Sequence, residues 1–209
     1  MKFSWVSERA GRSGIAAEPG VYDGSPSLGE LWMDAEPEAR HDDRVTLAAA
    51  LAFCAYLSGP LDMQERKVSI GLANELTEKL APFVQTVTPI EFAQRRFADG
   101  AGTLAVHTEI EGINHLCADP EVTTGIRVSP SDKTTGQFLD GRILHTASNA
   151  SILSAMAQRM HRATCYPELA VAVLFAEDLG CDHIVAPESL ADPAWRSCFL
   201  AAGLRLTVR

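Results

Sequence analysis

Thr103-Leu104-Ala105-Val106-His107 marks a change of rhythm in this 209-residue chain. Its apolar residues, closed by a histidine, predict a short buried strand. From there strand and helix alternate. Residues 125–129 and 142–146 predict two more strands. Ser148 or Asn149 then caps a helix to about residue 163, and Pro167 at its first position opens another that Gly180 ends. Residues 182–186 predict a strand, Asp192-Pro193 a last helix that Gly203 ends, and residues 204–208 a final strand. Strands separated by helices of this length specify an α/β fold. Its expected form is a mostly parallel Rossmann-like sheet with helices on both faces.

Working back toward the N-terminus, residues 42–100 predict a smaller helical lobe. Asp42 or Asp43 caps a helix to about Leu57, apolar on nearly every side and therefore central. A second helix fits residues 69–80, closed by Pro82, and residues 84–87 predict a short strand. Thr88-Pro89-Ile90-Glu91 has the form of a capping box with proline at its first helical position, opening a helix to about Ala98. Residues 1–41, punctuated by glycine and proline, predict an irregular acidic leader holding one or two short strands. The organisation expected is thus leader 1–41, helical lobe 42–100 and Rossmann-like domain 101–209.

Charge is unevenly placed. The net charge is −9, and residues 18–43 alone carry eight acids against Arg40, or −7 of that total. A phosphate-backbone binder has a basic footprint, so no nucleic-acid partner is expected. The acidic 18–43 segment instead predicts a protein partner. No apolar run reaches the roughly 20 residues of a membrane helix, and no secretory signal pattern opens the chain, so no membrane association and a cytoplasmic location are expected. Five scattered cysteines without a C-x-x-C pair read as reduced, mostly buried thiols.

In a sheet of this kind ligands sit beyond the carboxyl ends of the strands. After the first strand lie His107 and Glu109, with Glu111, His115, Cys117 and Asp119 beyond, a set fit for proton transfer or metal binding. The H-x-E pattern of zinc deaminases is present, but its P-C-x-x-C partner is not. After the second strand, Asp132, Lys133 and Thr134 stand in a loop of small hydroxyls that lacks the order of a phosphate-binding Walker loop. After the third, Ser148 and Asn149 enter a helix whose exposed amides favour an anion. These seven residues, His107, Glu109, Asp132, Lys133, Thr134, Ser148 and Asn149, are the candidate ligand-binding set. Cys165, four residues after His161, and Cys181, near His183, read as structural, and no catalytic residue is assigned.

Residues 167–180, Asp182-His183-Ile184-Val185, Asp192-Pro193 and Cys198-Phe199 together resemble the 7-cyano-7-deazaguanine synthase family. That family belongs to the ATP-pyrophosphatase, or HUP-type, group of nucleotide-binding α/β folds. The resemblance implies a helix ending in Ala-Glu-x-x-Gly before a strand, matched by Ala176-Glu177-Asp178-Leu179-Gly180. The family's Ser-Gly-Gly-x-Asp-Ser loop would fall at residues 106–112, where Glu109 and Glu111 stand instead and would repel a phosphate. Its zinc cysteines are missing too. The resemblance therefore implies a degenerate copy without the ATP chemistry.

The expectation is a non-catalytic or degenerate nucleotide-binding-type protein acting as a binding or accessory subunit. No cofactor or metal is expected; a small ligand is compatible with it. This reading predicts that residues 107–111 and 131–136 do not converge on one pocket. The alternative is a small-molecule enzyme on a nucleotide-like or acyl substrate, since residues 194–204 are similar to the closing helix and strand of acetyltransferases.

Overall fold

The computed structural model describes residues 1–7, 11–38, 41–93, 100–159 and 164–209. In chain order the strands are β1 (Lys2–Ser7), β2 (Ser13–Glu18), β3 (Glu30–Met33), β4 (Leu61–Asp62), β5 (Val68–Ser69), β6 (Val87–Thr88), β7 (Ile90–Glu91), β8 (Gly102–His107), β9 (Thr124–Pro130), β10 (Gln137–Asp140), β11 (Ile143–Ser148), β12 (Cys181–Ala186) and β13 (Arg205–Val208). The helices are α1 (Asp42–Phe53), α2 (Ile70–Lys79), α3 (Ile110–Cys117), α4 (Ala150–Gln158), α5 (Pro167–Phe175) and α6 (Arg196–Ala201).

The fold is α/β, built on one large, mostly parallel sheet. Its parallel block runs β11-β9-β8-β12-β13. In chain order that is third, second, first, fourth, fifth, the doubly wound arrangement in which the chain returns across its first strand. Leu104 and Val106 of β8 join the main core, whereas Ala105 joins a second cluster with Ile113, Cys117 and Val122. Alternate residues of a strand point to opposite faces, so β8 is covered on both. Helix α5, buried along its whole length, packs on one face and α3 on the other.

Residues 1–33, expected to be largely irregular, form an antiparallel meander of three strands that extends the same sheet. β3 joins β11 at Ser148 and Met33, and β10 folds back on the rest of the same edge as a hairpin. The helices of residues 42–100 also enter the common core. α1 is buried from Asp43 to Phe53 and lies against α5, with Phe53 and Phe3 ring centroids 5.6 Å apart. An apolar surface on all sides needs neighbours on all sides, and α1 has them.

Three local expectations change. The N-cap of α1 is His41, while Asp42 and Asp43 occupy the first turn, where acids suit the positive end of the helix dipole. Asp43 is drawn away from capping by the backbone N–H of Ser69, 2.8 Å off. The capping box at Thr88-Pro89-Ile90-Glu91 does not open a helix: Val87 pairs with Leu61 and Ile90 with Val68, so parallel strand pairing overrides the local signal. The remainder of that expected helix, residues 94–98, lies outside the described residues, as do residues 160–163 of the helix after Asn149. Residues 110–117, for which the sequence predicts no helix or strand, are helical.

Candidate functional site: the cleft at the strand crossover

The chain crosses over between β8 and β12, and their carboxyl ends open onto a cleft of about 590 Å³. Three connections meet there. Thr108, Glu109 and Ile110 come from the turn after β8, Pro130 and Lys133 from the end of β9 and its loop, and Ser189 and Leu190 from beyond β12. Ser151 and Ser154 of α4, with Cys165, Tyr166 and Glu168 at the start of α5, form the facing wall. Glu109 and Lys133 therefore share one cavity, against the expectation that their two loops stay apart. A crossover draws adjacent loops apart above the sheet, and the room between them is what a ligand fills.

The chemistry of the wall is concentrated in Glu168. It is 6% exposed, and the Ser154 hydroxyl donates to its Oε2 at 2.6 Å. Burial raises the Glu168 pKa, which that hydrogen bond only partly offsets, and so favours the neutral acid. Beside it, Tyr166 is also buried and its phenol is pushed up by desolvation. Opposite, Arg127 donates through Nε to Thr108 O at 3.2 Å, which fixes its guanidinium at the cleft. Arg127 and Lys133 thus share the lining with Glu109 and with a Glu168 whose charged form burial disfavours.

The first turn after β8 is closed to a phosphate by the chain itself. His107 accepts the backbone N–H of Glu109 through Nδ1 at 2.9 Å. Its ring lies against Gly112, where any Cβ would overlap it. In dinucleotide-binding turns a glycine lets the backbone approach pyrophosphate; here the same clearance is filled by an imidazole. His107 thus faces away from the cleft and lines, with His115, a separate depression of about 750 Å³.

The other sequence candidates divide. Lys133 lines the cleft, but its backbone N–H and that of Thr134 both donate to Pro130 O, at 3.1 and 3.2 Å, and the Thr134 hydroxyl does the same. The loop is a turn closed on Pro130, with its amides spent internally, and Asp132 is exposed outside the lining. Ser148 and Asn149 are buried and structural. The Ser148 hydroxyl donates to Trp32 O, while the Asn149 side chain accepts from Trp32 N and donates to Glu30 O, stitching β11 to β3. Arg127, Ser154, Tyr166 and Glu168 escaped sequence reasoning because each reads as an ordinary element residue; a glutamate in the first turn of a helix is a common dipole partner. His161 lies outside the described residues. Among the described residues no group of three or more His, Cys, Asp or Glu assembles into a metal site.

The acids of residues 18–43 are largely engaged within the chain. Asp23 takes the Met1 ammonium at 2.6 Å and the backbone N–H groups of Ser58 and Gly20. Asp34 pairs with Arg12 and accepts Gly136 N–H, Glu36 accepts the Ser7 hydroxyl, and Asp42 pairs with Arg66. The segment also leaves two large apolar side chains bare: Val21 and Tyr22 are 94% and 81% exposed at its tip. No helix among the described residues is long and apolar enough to cross a membrane. Comparison with protein-family profiles, with curated proteins and with solved structures gives no match.

Proposed function

We propose that this chain is a small-ligand-binding protein, a degenerate nucleotide-binding-type α/β domain that keeps the crossover cleft but has surrendered the phosphate turn. The observation that carries the reading is the convergence of Arg127, Lys133 and the buried acid Glu168 on one cleft. The ligand is a small anion with a second polar group: the cations take its charge, and the buried Glu168 carboxyl hydrogen-bonds the polar group. Such a protein serves as a binding or accessory subunit in the cytoplasm. In the alternative, enzymatic version, Glu168 delivers its proton to a nucleotide-like or acyl substrate; a buried acid with a raised pKa in a cleft supports that role.

Thermal unfolding of the full chain with AMP, inorganic phosphate, acetyl-CoA and short carboxylates tests both. A ligand at many times its Kd should raise the Tm by about 2 °C or more. Lys133→Ala and Glu168→Ala should each lose the rise, and His115→Ala, beside the other depression, should keep it. A rise retained in both cleft variants sinks the assignment. A protein partner at residues 18–43 is a second reading, supported by the exposed Val21 and Tyr22 rather than by the acids. If the double change Val21→Ser, Tyr22→Ser leaves partner capture unaltered, that reading fails.

A further inference from the structure

Two cysteines 111 residues apart in sequence meet behind the cleft. Cys54 Sγ, in the turn after α1, lies 3.2 Å from Cys165 Sγ, just before α5. Both thiols are free and buried, but Cys165 also lines the cleft and is reached from it. The two sulfurs are not equivalent. Cys165 Sγ accepts the backbone N–H of Ala55 at 3.2 Å, whereas Cys54 has Thr164 O at 3.4 Å as a further acceptor for its own proton. Either sulfur can donate across the pair, but only Cys165 Sγ also receives a backbone N–H, which favours its thiolate form. The hydrogen bonds from Cys54 and Ala55 draw the Cys165 thiol pKa down, while the same contact and burial push that of Cys54 up. The start of α5, two residues on, adds the positive end of a helix dipole.

We infer that Cys165 and Cys54 form an oxidisable dithiol in which Cys165 is the peroxide-reactive thiol and Cys54 resolves it. The inference stands on the geometry of the pair and holds whether or not the cleft binds the anion proposed above. The Cys165 thiolate attacks one oxygen of a hydroperoxide. The S–O bond forms, the O–O bond breaks, and the other oxygen leaves as an alcohol after taking a proton. Cys54 gives up its proton and its sulfur attacks Cys165 sulfur; the S–S bond forms and the S–O bond breaks, releasing water. Two electrons pass from the thiols to the peroxide. The sulfurs need approach by only about 1 Å to reach bonding distance. The bond would tie the end of α1 to the cleft wall, so the oxidation state of the pair bears directly on a lining residue.

The test uses the full chain, reduced with dithiothreitol and freed of it, then treated with hydrogen peroxide and read by mass spectrometry of intact protein and peptides. Wild type should become lighter by two hydrogens, with Cys54 and Cys165 peptides cross-linked and the change reversed by dithiothreitol. Cys165 should react at least about tenfold faster than Cys198, whose buried thiol is pushed up to about 11. Cys54→Ser should stop at a sulfenic acid on Cys165, trapped by dimedone. Cys165→Ser should leave Cys54 unreacted. Uniform oxidation of Cys117, Cys181 and Cys198 alongside the pair, or cross-links only between chains, overturns the proposal. The wild-type peptide map alone decides this, so a variant that fails to fold does not shield it.

Discussion

Gly112 shows how one position can decide what a turn holds. Alanine in a helix is worth about 1 kcal/mol over glycine where space allows. Here a methyl group would drive into the His107 ring and cost that ring its hydrogen bond from Glu109 N–H. Gly112→Ala alone should therefore destabilise by about 1–3 kcal/mol, the usual penalty for overpacking. In a His107→Ala background the same change should become neutral or stabilising. A double-mutant cycle by chemical denaturation measures the coupling. Additive effects would mean that the ring does not define the glycine. From the sequence, Gly112 and the two glutamates near it looked like loop; the helix they form was hidden because the residue that spoils helical propensity is demanded by a neighbour five positions back.

Among the elements, the β10 hairpin is the least conventional. All four of its residues are exposed, including Phe138 and Leu139, yet Phe138 stacks on His145 of β11 with ring centroids 4.4 Å apart. His145 is 3% exposed, and neither of its ring nitrogens has a hydrogen-bond partner. Burial lowers its pKa from 6.5, and the nearby Arg127 charge lowers it further. The folded state therefore holds the imidazole neutral. Its contribution to stability is complete above the ordinary histidine range and is lost as pH falls through about 6.5, where the unfolded chain takes up the proton first. Phe138→Ala should wet the ring, return its pKa toward 6.5 in an NMR titration, and flatten the loss of stability between about pH 7 and 5. An unmoved His145 titration refutes the cover. The strands β8, β9, β11, β12 and β13 were legible because each is a short apolar run between turn signals. β10 was not, since a fully exposed strand has no buried face and so no alternation to read.

Across the whole molecule, the parallel block from residue 101 onward and the helices α1 and α2 were readable, and the N-terminal strands largely were not. These strands owe their place to partners far along the chain: Trp32 to Asn149 and Ser148, Asp34 to Gly136. Local sequence carries no record of such pairings. The cleft was half legible for the same reason. Glu109 and Lys133 follow predicted strands, so the crossover rule finds them. Glu168, Ser154 and Cys165 reach the cavity only because α4 and α5 fold back over it, a matter of packing between helices.

The seam where Ser148 meets Met33 also bears on how the protein comes into being. A ribosome delivers the meander and the largely apolar α1 before β11 and α5, which complete them. For roughly a hundred residues of synthesis the nascent chain lacks the partners of a sheet edge and of a helix apolar along most of its length. The seam to β3 can close only once residue 148 has emerged, and α1 can be covered only once α5 has followed it.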